Sequence, residues 1–234
     1  MFELKKIEAE WKARMHKALS FDGKDDYMVV PHSDSLSFEG DFTICLWMKN
    51  NDPSPDVVQR IYNKRITYKQ RELDAHIISG KLYVLIRNDA EGEDRLQVEV
   101  SYPYKTWKFL TVRREGNTLT VFLDATEVGS DTGVANITNT KPLYIATRDG
   151  TAHFLNGLIA HVCIYNRALS PSEIKYLYHN PFDPIDPEHL VLWLNPAGID
   201  VANSKWWDMS GKGNHGTIYG ATEVSLVEEE VKVK

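Results

Sequence analysis

The stretch WKFLTVRREGNTLTVFLDATEVG, residues 107–129, decides the fold class. Two runs in which apolar and polar residues alternate flank Glu115-Gly116-Asn117, a tripeptide of turn-forming residues. Alternation with a period of two is typical of strands that bury one face. A glycine-containing turn between two such runs predicts an antiparallel hairpin.

The same pattern extends in both directions from this hairpin. Strand-like runs occupy residues 18–23, 26–31, 41–50, 57–68, 75–88, 95–102, 141–150, 154–169 and 190–198. Strands at intervals of roughly ten residues, with turn signals between them, are typical of sandwiches and barrels. We therefore predict an all-β, two-sheet antiparallel jelly-roll sandwich that forms a single domain over residues 17–222. Trp47 and Trp107 are large enough to fill the gap between two such sheets.

Two short helices are predicted outside the strands. Residues 1–16 carry apolar side chains at helical spacing among charged ones, which indicates an N-terminal amphipathic helix. Ser170 and Glu173 bracket a proline in the pattern of a capping box, so a second short helix is expected near 171–179. Residues 223–234 are expected to form a flexible tail.

Composition excludes several classes of function. The net charge of −6 speaks against binding to a nucleic-acid backbone, which needs clustered Lys and Arg. No run of apolar residues is long enough to span or insert into a membrane, and the N-terminus lacks a secretory signal. We expect synthesis in the cytoplasm, with a virion or a cell surface as possible final locations. Cys45 and Cys163 fit no disulfide framework or zinc site and are interpreted as small core residues.

Four segments together resemble the laminin-G-like, concanavalin A-like lectin family. They are the opening at 18–49, the hairpin at 107–129, the closing strand and helix at 155–178, and DMSGKGNHGTIYGA at 208–221. The resemblance covers residues 17–222. It implies a jelly-roll module that binds carbohydrate or glycoprotein.

One of these segments stands out of order. In the family, the segment that resembles residues 190–222 comes before the strand at 18–23, whereas here it follows the predicted helix. We interpret it as a permuted first strand. It either returns within its own chain or pairs with a neighbouring subunit, and the second arrangement would make the protein a homo-oligomer.

Candidate ligand-binding residues are aromatic. A sugar site needs an exposed aromatic ring with polar groups converging beside it. The aromatic residues expected in loops are Tyr68, Tyr102, Tyr104 and Trp206.

Calcium is the one cofactor that the resemblance implies, and none is expected to be required. Many members of the family hold one hard cation by oxygen ligands, which Asp22, Asp25 and Asp26 are suited to supply. However, Ala160 and His161 stand where the family has an acidic pair. We therefore expect stability to depend little on calcium.

No catalytic residues are predicted. Hydrolysis of a glycan needs two carboxylates placed for acid and base roles, and Glu99 has no acidic partner two or four residues away. The main hypothesis is a non-enzymatic module that binds carbohydrate or glycoprotein. The first alternative is a self-assembling structural protein of a virion, tail fibre or appendage, and the second is a glycan-active hydrolase.

Overall fold

A computed structural model describes residues 16–52, 56–65, 72–87, 95–133 and 139–226. The N-terminal helix predicted for residues 1–16 lies outside these ranges, apart from its last residue. The described residues form sixteen strands, one α-helix and short 3-10 turns at Asp34–Leu36 and Val201–Asn203.

The elements follow one another along the chain with short connections. The strands are β1 (Lys17–Asp22), β2 (Tyr27–Val30), β3 (Phe42–Asn50), β4 (Gln59–Lys64), β5 (Glu72–Ile78), β6 (Lys81–Arg87), β7 (Arg95–Ser101), β8 (Lys108–Glu115), β9 (Thr118–Leu123), β10 (Thr126–Thr132), β11 (Leu143–Ile145), β12 (Asn156–Tyr165), β13 (Leu190–Asp200), β14 (Lys205–Asp208), β15 (Gly216–Tyr219) and β16 (Thr222–Ser225). The helix is α1 (Pro171–His179).

The strands form an antiparallel sandwich, which confirms the predicted all-β class. The hydrogen-bonded order is β10-β9-β8-β3-β12-β13-β14-β15-β2-β11-β4-β5-β6-β7, with β1 on β12 and β16 on β1. The two ends of this path approach each other, because the amide of Gln97 in β7 donates to Asp131 Oδ2 in β10 at 2.8 Å. The sandwich is therefore nearly closed along that side.

The main core lies between the layers of the sandwich. In β3, Phe42, Ile44, Leu46 and Met48 all point into it, as the period of two requires. The intervening residues of β3 are buried as well, because α1 covers the opposite face of this strand.

Trp47 belongs to a second apolar cluster that lies beneath α1. Its ring stacks on Tyr178 at 5.5 Å and contacts Phe109 at 5.3 Å. Trp107 is partly buried against the same cluster. The expectation that these two tryptophans fill the main core is therefore wrong. Trp47 alternates with the inward residues of β3, so it faces the helix.

The two cysteines lie in the same outer cluster as free thiols. Cys45 of β3 and Cys163 of β12 stand directly opposite each other in register, and both are buried. Their interpretation as small core residues agrees with this position.

The helix α1 begins with the predicted capping box. Ser170 Oγ accepts the Glu173 amide at 3.3 Å, and Glu173 Oε2 accepts the Ser170 amide at 2.7 Å. Arg167 Nη2 donates to the same glutamate at 2.7 Å. Among the described residues, no helix has the length and apolar character needed to cross a membrane.

The segment that stands out of order pairs within its own chain. In β13, Trp193 lies opposite Cys163 of β12, and in β15, Ile218 lies opposite Met28 of β2. Residues 190–219 thus connect β12 to β2 within the same chain. Of the two arrangements that the sequence left open, the structure has the intramolecular one.

The chain stays in the sheet beyond residue 222. Strand β16 pairs with β1, with Ser225 opposite Lys17, and Lys17 Nζ lies 3.0 Å from Glu223 Oε1. Residues 223–225 are therefore a strand and not part of a flexible tail. Val224 and Leu226 alternate with polar residues and pack against the cluster beneath α1, so the sequence carried a short signal for this strand. Residues 227–234 lie outside the described ranges.

Candidate ligand-binding surface

Two adjacent tryptophans in β14 have opposite environments. Trp206 is completely buried, and its Nε1 donates to the carbonyl oxygen of Asn195 at 2.7 Å. Trp207 is 40% exposed. Successive side chains of a strand point to opposite faces. Trp206 is therefore a core residue, and the expectation that its ring is an exposed loop aromatic is wrong.

The indole of Trp207 is held in place by polar neighbours. Its Nε1 donates to Asp200 Oδ2 at 3.2 Å, and Asn203 Nδ2 donates to the same oxygen at 2.9 Å. The hydrogen bonds from Asn203 and then from Trp207 lower the pKa of Asp200. The carboxylate is therefore a permanent acceptor at neutral pH beside the exposed ring.

His215 completes this group on another side of the ring. Its imidazole meets the Trp207 ring edge to face, with centroids 4.9 Å apart. The Nδ1 atom accepts the Asp208 amide at 3.0 Å, so in the neutral ring the proton is on Nε2, which is a donor. We call Asp200, Asn203, Trp207 and His215 the Trp207 surface.

A rigid turn supports this surface. The carboxylate of Asp208 accepts the amides of Trp193, Ser210 and Asn214, each at 2.9 Å. Asn214 Nδ2 in turn donates to the carbonyl oxygen of Val191 at 2.7 Å. The glycine-rich motif at 208–221 therefore has a structural role, since its polar side chains form hydrogen bonds with backbone amides and carbonyl oxygens.

Of the other aromatic candidates, neither Tyr102 nor Tyr104 joins this surface. Tyr102 is buried, and burial raises the pKa of its hydroxyl, so it is a core residue and not an exposed platform. It continues the inward alternation of Val98 and Val100, both of which pack in or against the main core. Tyr104 is partly buried beside Gly80, in the turn between β5 and β6. Tyr68 lies outside the described residues.

The acidic triad lies in the turn between β1 and β2. The carboxylate oxygens of Asp22, Asp25 and Asp26 lie within 4.8 Å of one another. Asp26 Oδ2 accepts the Asp22 amide at 3.0 Å, and Asp22 Oδ1 accepts the Lys24 amide at 2.8 Å. Burial raises the pKa of Asp26, whereas the hydrogen bond from Lys24 lowers that of Asp22. Oxygen donors suit a hard cation, but the backbone already uses part of this set.

The family's further acidic ligands have no counterpart here. Ala160 is buried in the cluster beneath α1. His161 is buried and accepts Trp193 Nε1 at 2.9 Å, and burial lowers its pKa to about 3. A neutral imidazole inside the protein is not a ligand for calcium at the triad.

Strand β5 carries a carboxylate pair that the sequence reasoning missed. Glu72 and Asp74 are two residues apart and face away from the core, since Leu73 between them belongs to it. Asn63 Nδ2 donates to both carboxylates at 3.2 Å, and Arg60 forms an ion pair with Asp74. The sequence did contain an indication of this pair, because Glu72 and Asp74 are two residues apart. It was missed because only the neighbours of Glu99 were considered.

Cationic partners surround these carboxylates, and Arg60 Nη1 and Arg87 Nη1 lie within 4.0 Å of the Glu72 carboxylate. Asp74 is fully buried, and although burial raises its pKa, Arg60 and His76 lower it further, so the net shift is downward. Glu99 accepts Lys81 Nζ at 2.6 Å, and this hydrogen bond lowers its pKa. A general acid needs the opposite shift.

The strand order is that of a concanavalin A-like β-sandwich. The chain belongs to the concanavalin A-like lectin/glucanases superfamily, whose family model matches residues 22–175. The resemblance stated from sequence is thereby confirmed. No curated protein matches the chain.

Solved structures share this fold at low identity. A protein from Bacteroides ovatus ATCC 8483, for which carbohydrate binding has been suggested, has a TM-score of 0.69 and 16% identity; the match covers 91% of this chain and 60% of that one. The binding domain of botulinum neurotoxin DC, solved in complex with SialylT, has a TM-score of 0.52 and 13% identity, with 70% and 51% covered. The binding domain of Paraclostridial Mosquitocidal Protein 1 has a TM-score of 0.53 and 16% identity; the match covers 70% of this chain and 46% of that one. This chain thus spans less than two thirds of each.

Proposed function

We propose that this chain is a non-enzymatic carbohydrate-binding module and that the Trp207 surface is its binding site. The observation that carries the proposal is an indole that is both exposed and fixed in orientation by Asp200. The fold shared with a suggested carbohydrate-binding protein and with a toxin domain in complex with SialylT supports it.

The chemistry of the surface suits a pyranose ring. The apolar face of a sugar packs on an indole, while its hydroxyl groups need donors and acceptors at the ring edge. Asp200 supplies an acceptor, and the Nε2 proton of neutral His215 supplies a donor. Because the indole is already immobilised, little side-chain entropy is lost when a sugar binds.

The test is a glycan array in the presence of calcium, followed by titration calorimetry on any glycan that binds. Trp207→Ala should weaken binding by at least about tenfold, the equivalent of about 1.4 kcal/mol. Tyr176→Ala is the matched control, because Tyr176 is also 40% exposed but lies on α1. Equal binding by the two variants would place the site elsewhere.

The same experiment addresses the assembly alternative. Silence on the array, together with a stable oligomer in light scattering, would support a structural role in a virion, tail fibre or appendage. Binding that free sugar competes would support the carbohydrate-binding module.

A further inference from the structure

The outward side of β4, β5 and β6, with the loop after β11, carries an unusual group of charges, several of them buried, well apart in the strand order from the Trp207 surface. We call it the arginine cluster. It consists of Arg60, Arg65, Arg87 and Arg148 together with the carboxylates of Glu72, Asp74 and Asp149.

The first half of the cluster centres on β5. Arg60 pairs with Asp74, and its Nη1 lies 4.0 Å from Glu72 Oε1. Arg87 Nη1 lies 3.8 Å from Glu72 Oε2. Two guanidinium groups therefore flank the single carboxylate of Glu72 on opposite oxygens.

The second half centres on Asp149, in the loop after β11. Arg65 Nη2 donates to Asp149 Oδ2 at 3.1 Å, and Arg148 Nε donates to the same oxygen at 3.2 Å. His153 connects the halves through the backbone. Its carbonyl oxygen accepts the Arg60 amide at 2.9 Å, and the neighbouring Ala152 carbonyl oxygen accepts the Arg148 amide at 3.1 Å.

Donors in the cluster outnumber acceptors. Four arginines face three carboxylates, and Arg60 Nε, Arg65 Nη1 and Arg87 Nε are buried without an acceptor among the described residues. The side chain of Arg60 is only 10% exposed. A buried donor without an acceptor lowers the stability of a fold. An acceptor group on a ligand would remove that cost and so favour binding.

A row of polar side chains, which runs from His76 through Tyr83 to Glu99, lies beside these arginines. His76 Nδ1 lies 2.6 Å from Asp74 Oδ2, which leaves its Nε2 for other partners. The His76 ring stacks on Tyr83 with centroids 5.2 Å apart, and Glu99 lies directly opposite Tyr83 on β7. Groups of this kind bind hydroxyl groups.

We propose that the arginine cluster binds the oxyanion of an acidic ligand, with a carboxylated saccharide as the ligand class. A planar carboxylate matches the fork of a guanidinium group and supplies the missing acceptors. The row from His76 to Glu99 then contacts the hydroxyl groups of the same ligand. The saccharide part of this assignment rests on the proposed function, whereas the oxyanion part does not.

The experiment uses the full chain and three probes: glucuronate, uncharged methyl glucoside and inorganic phosphate. Binding is followed by chemical-shift titration at low and high salt. Glucuronate should bind, and its affinity should fall with salt because the attraction is ionic. Arg148→Gln should weaken it about tenfold, since a charge-assisted pair is lost. Arg148 is chosen because its side chain is 30% exposed, so its removal leaves the buried pairs in place.

Two controls separate this site from the Trp207 surface. Arg113→Gln removes an arginine of β8, outside the cluster, and should leave glucuronate binding unchanged. Trp207→Ala should also leave it unchanged; if it abolishes binding, the inference fails while the proposed function stands. Binding of glucuronate that depends on Arg148, with no neutral glycan bound anywhere, would support the cluster and contradict the Trp207 surface as the binding site.

The remaining outcomes are equally decisive. Binding of phosphate but not glucuronate, lost in Arg148→Gln, would support the oxyanion site and overturn the saccharide assignment. If neither anion binds, or if Arg65→Lys and Arg148→Gln both bind as the unchanged protein does, the proposal is wrong.

Discussion

Lys64 is a buried lysine whose amino group has no carboxylate within 4 Å among the described residues. Its side chain is 1% exposed, and Nζ contacts His32 Nδ1 at 3.2 Å and the carbonyl oxygen of Lys141. Burial lowers its pKa from 10.5 to about 8. Because the folded pKa lies below the unfolded one, the charged form destabilises the fold at pH values below 8.

This shift predicts a specific dependence of stability on pH. Between pH 8 and 10 the unfolded chain keeps the proton on Lys64 while the folded chain loses it, so the free energy of unfolding should rise by about 2 kcal/mol. Lys64→Met should remove that rise. Urea unfolding of both proteins at pH 7.5 and 10 measures it, and parallel pH curves would contradict the assignment.

No glycan hydrolysis is expected, because two arginines flank Glu72 and the pKa values of Asp74 and Glu99 are lowered, whereas a general acid needs a raised one. Reducing-sugar assays on β-glucans and galactans should show no turnover above buffer. The telling comparison is Glu99→Gln. Turnover in the unchanged protein that disappears in this variant would establish a hydrolase.

At the scale of single residues, the sequence could not determine which side chains of a short strand face the core. Because side chains alternate along a strand, one of Trp206 and Trp207 must face outward. However, β14 has only four residues and its two tryptophans are adjacent, so the local pattern does not indicate which one is exposed. Pairing of Trp206 with Ile199 of β13 sets which one is buried. That register depends on a distant segment, so no local pattern specifies it.

At the scale of elements, the start of α1 depends on local chemistry alone. Ser170→Ala leaves the Glu173 amide without its acceptor and should lower the free energy of unfolding by about 1 kcal/mol. Lys175→Ala, at an exposed position of the same helix that does not contact the cap, is the control. Denaturant unfolding of both variants gives the values. A loss of equal size in the control would remove the cap as the cause.

The turn between β1 and β2 should not need calcium. Its carboxylates accept backbone amides of the same turn, and Ala160 supplies no acidic ligand. Since a cation that binds weakly adds little stability, the melting temperature in chelator and in millimolar calcium should agree to within about 2 °C. A drop of many degrees in chelator would contradict this expectation.

Elements with a local signal were predicted and elements defined by distant contacts were not. The capping box and the hairpin at 107–129 are specified by neighbouring residues, and both appear in the structure. Strand β16 has a signal of only two alternating apolar residues, Val224 and Leu226, and it pairs with the distant strand β1. The environment of Trp47 likewise depends on where α1 packs.

For the whole molecule, residues 190–219 occupy the centre of the strand order and should be indispensable. Deletion of residues 188–234 removes the partners of β12 and β2, so it exposes two strand edges and much of the main core. The truncated protein should be insoluble or molten in size-exclusion chromatography and near-UV circular dichroism. A soluble monomer that unfolds cooperatively would contradict this view of the fold.

The pairing of β1 with β16 also determines how the molecule responds to mechanical load. Lys17 and Ser225 lie side by side at one end of two antiparallel strands. A force that pulls outward on the chain at these two points acts across the strands and reaches one hydrogen bond at a time. The strand pair therefore opens like a zipper, at lower force than a pair loaded along its length, where all the hydrogen bonds resist together. Tension applied through both ends would peel β16 away first, while the bridge made by β13, β14 and β15 stays paired.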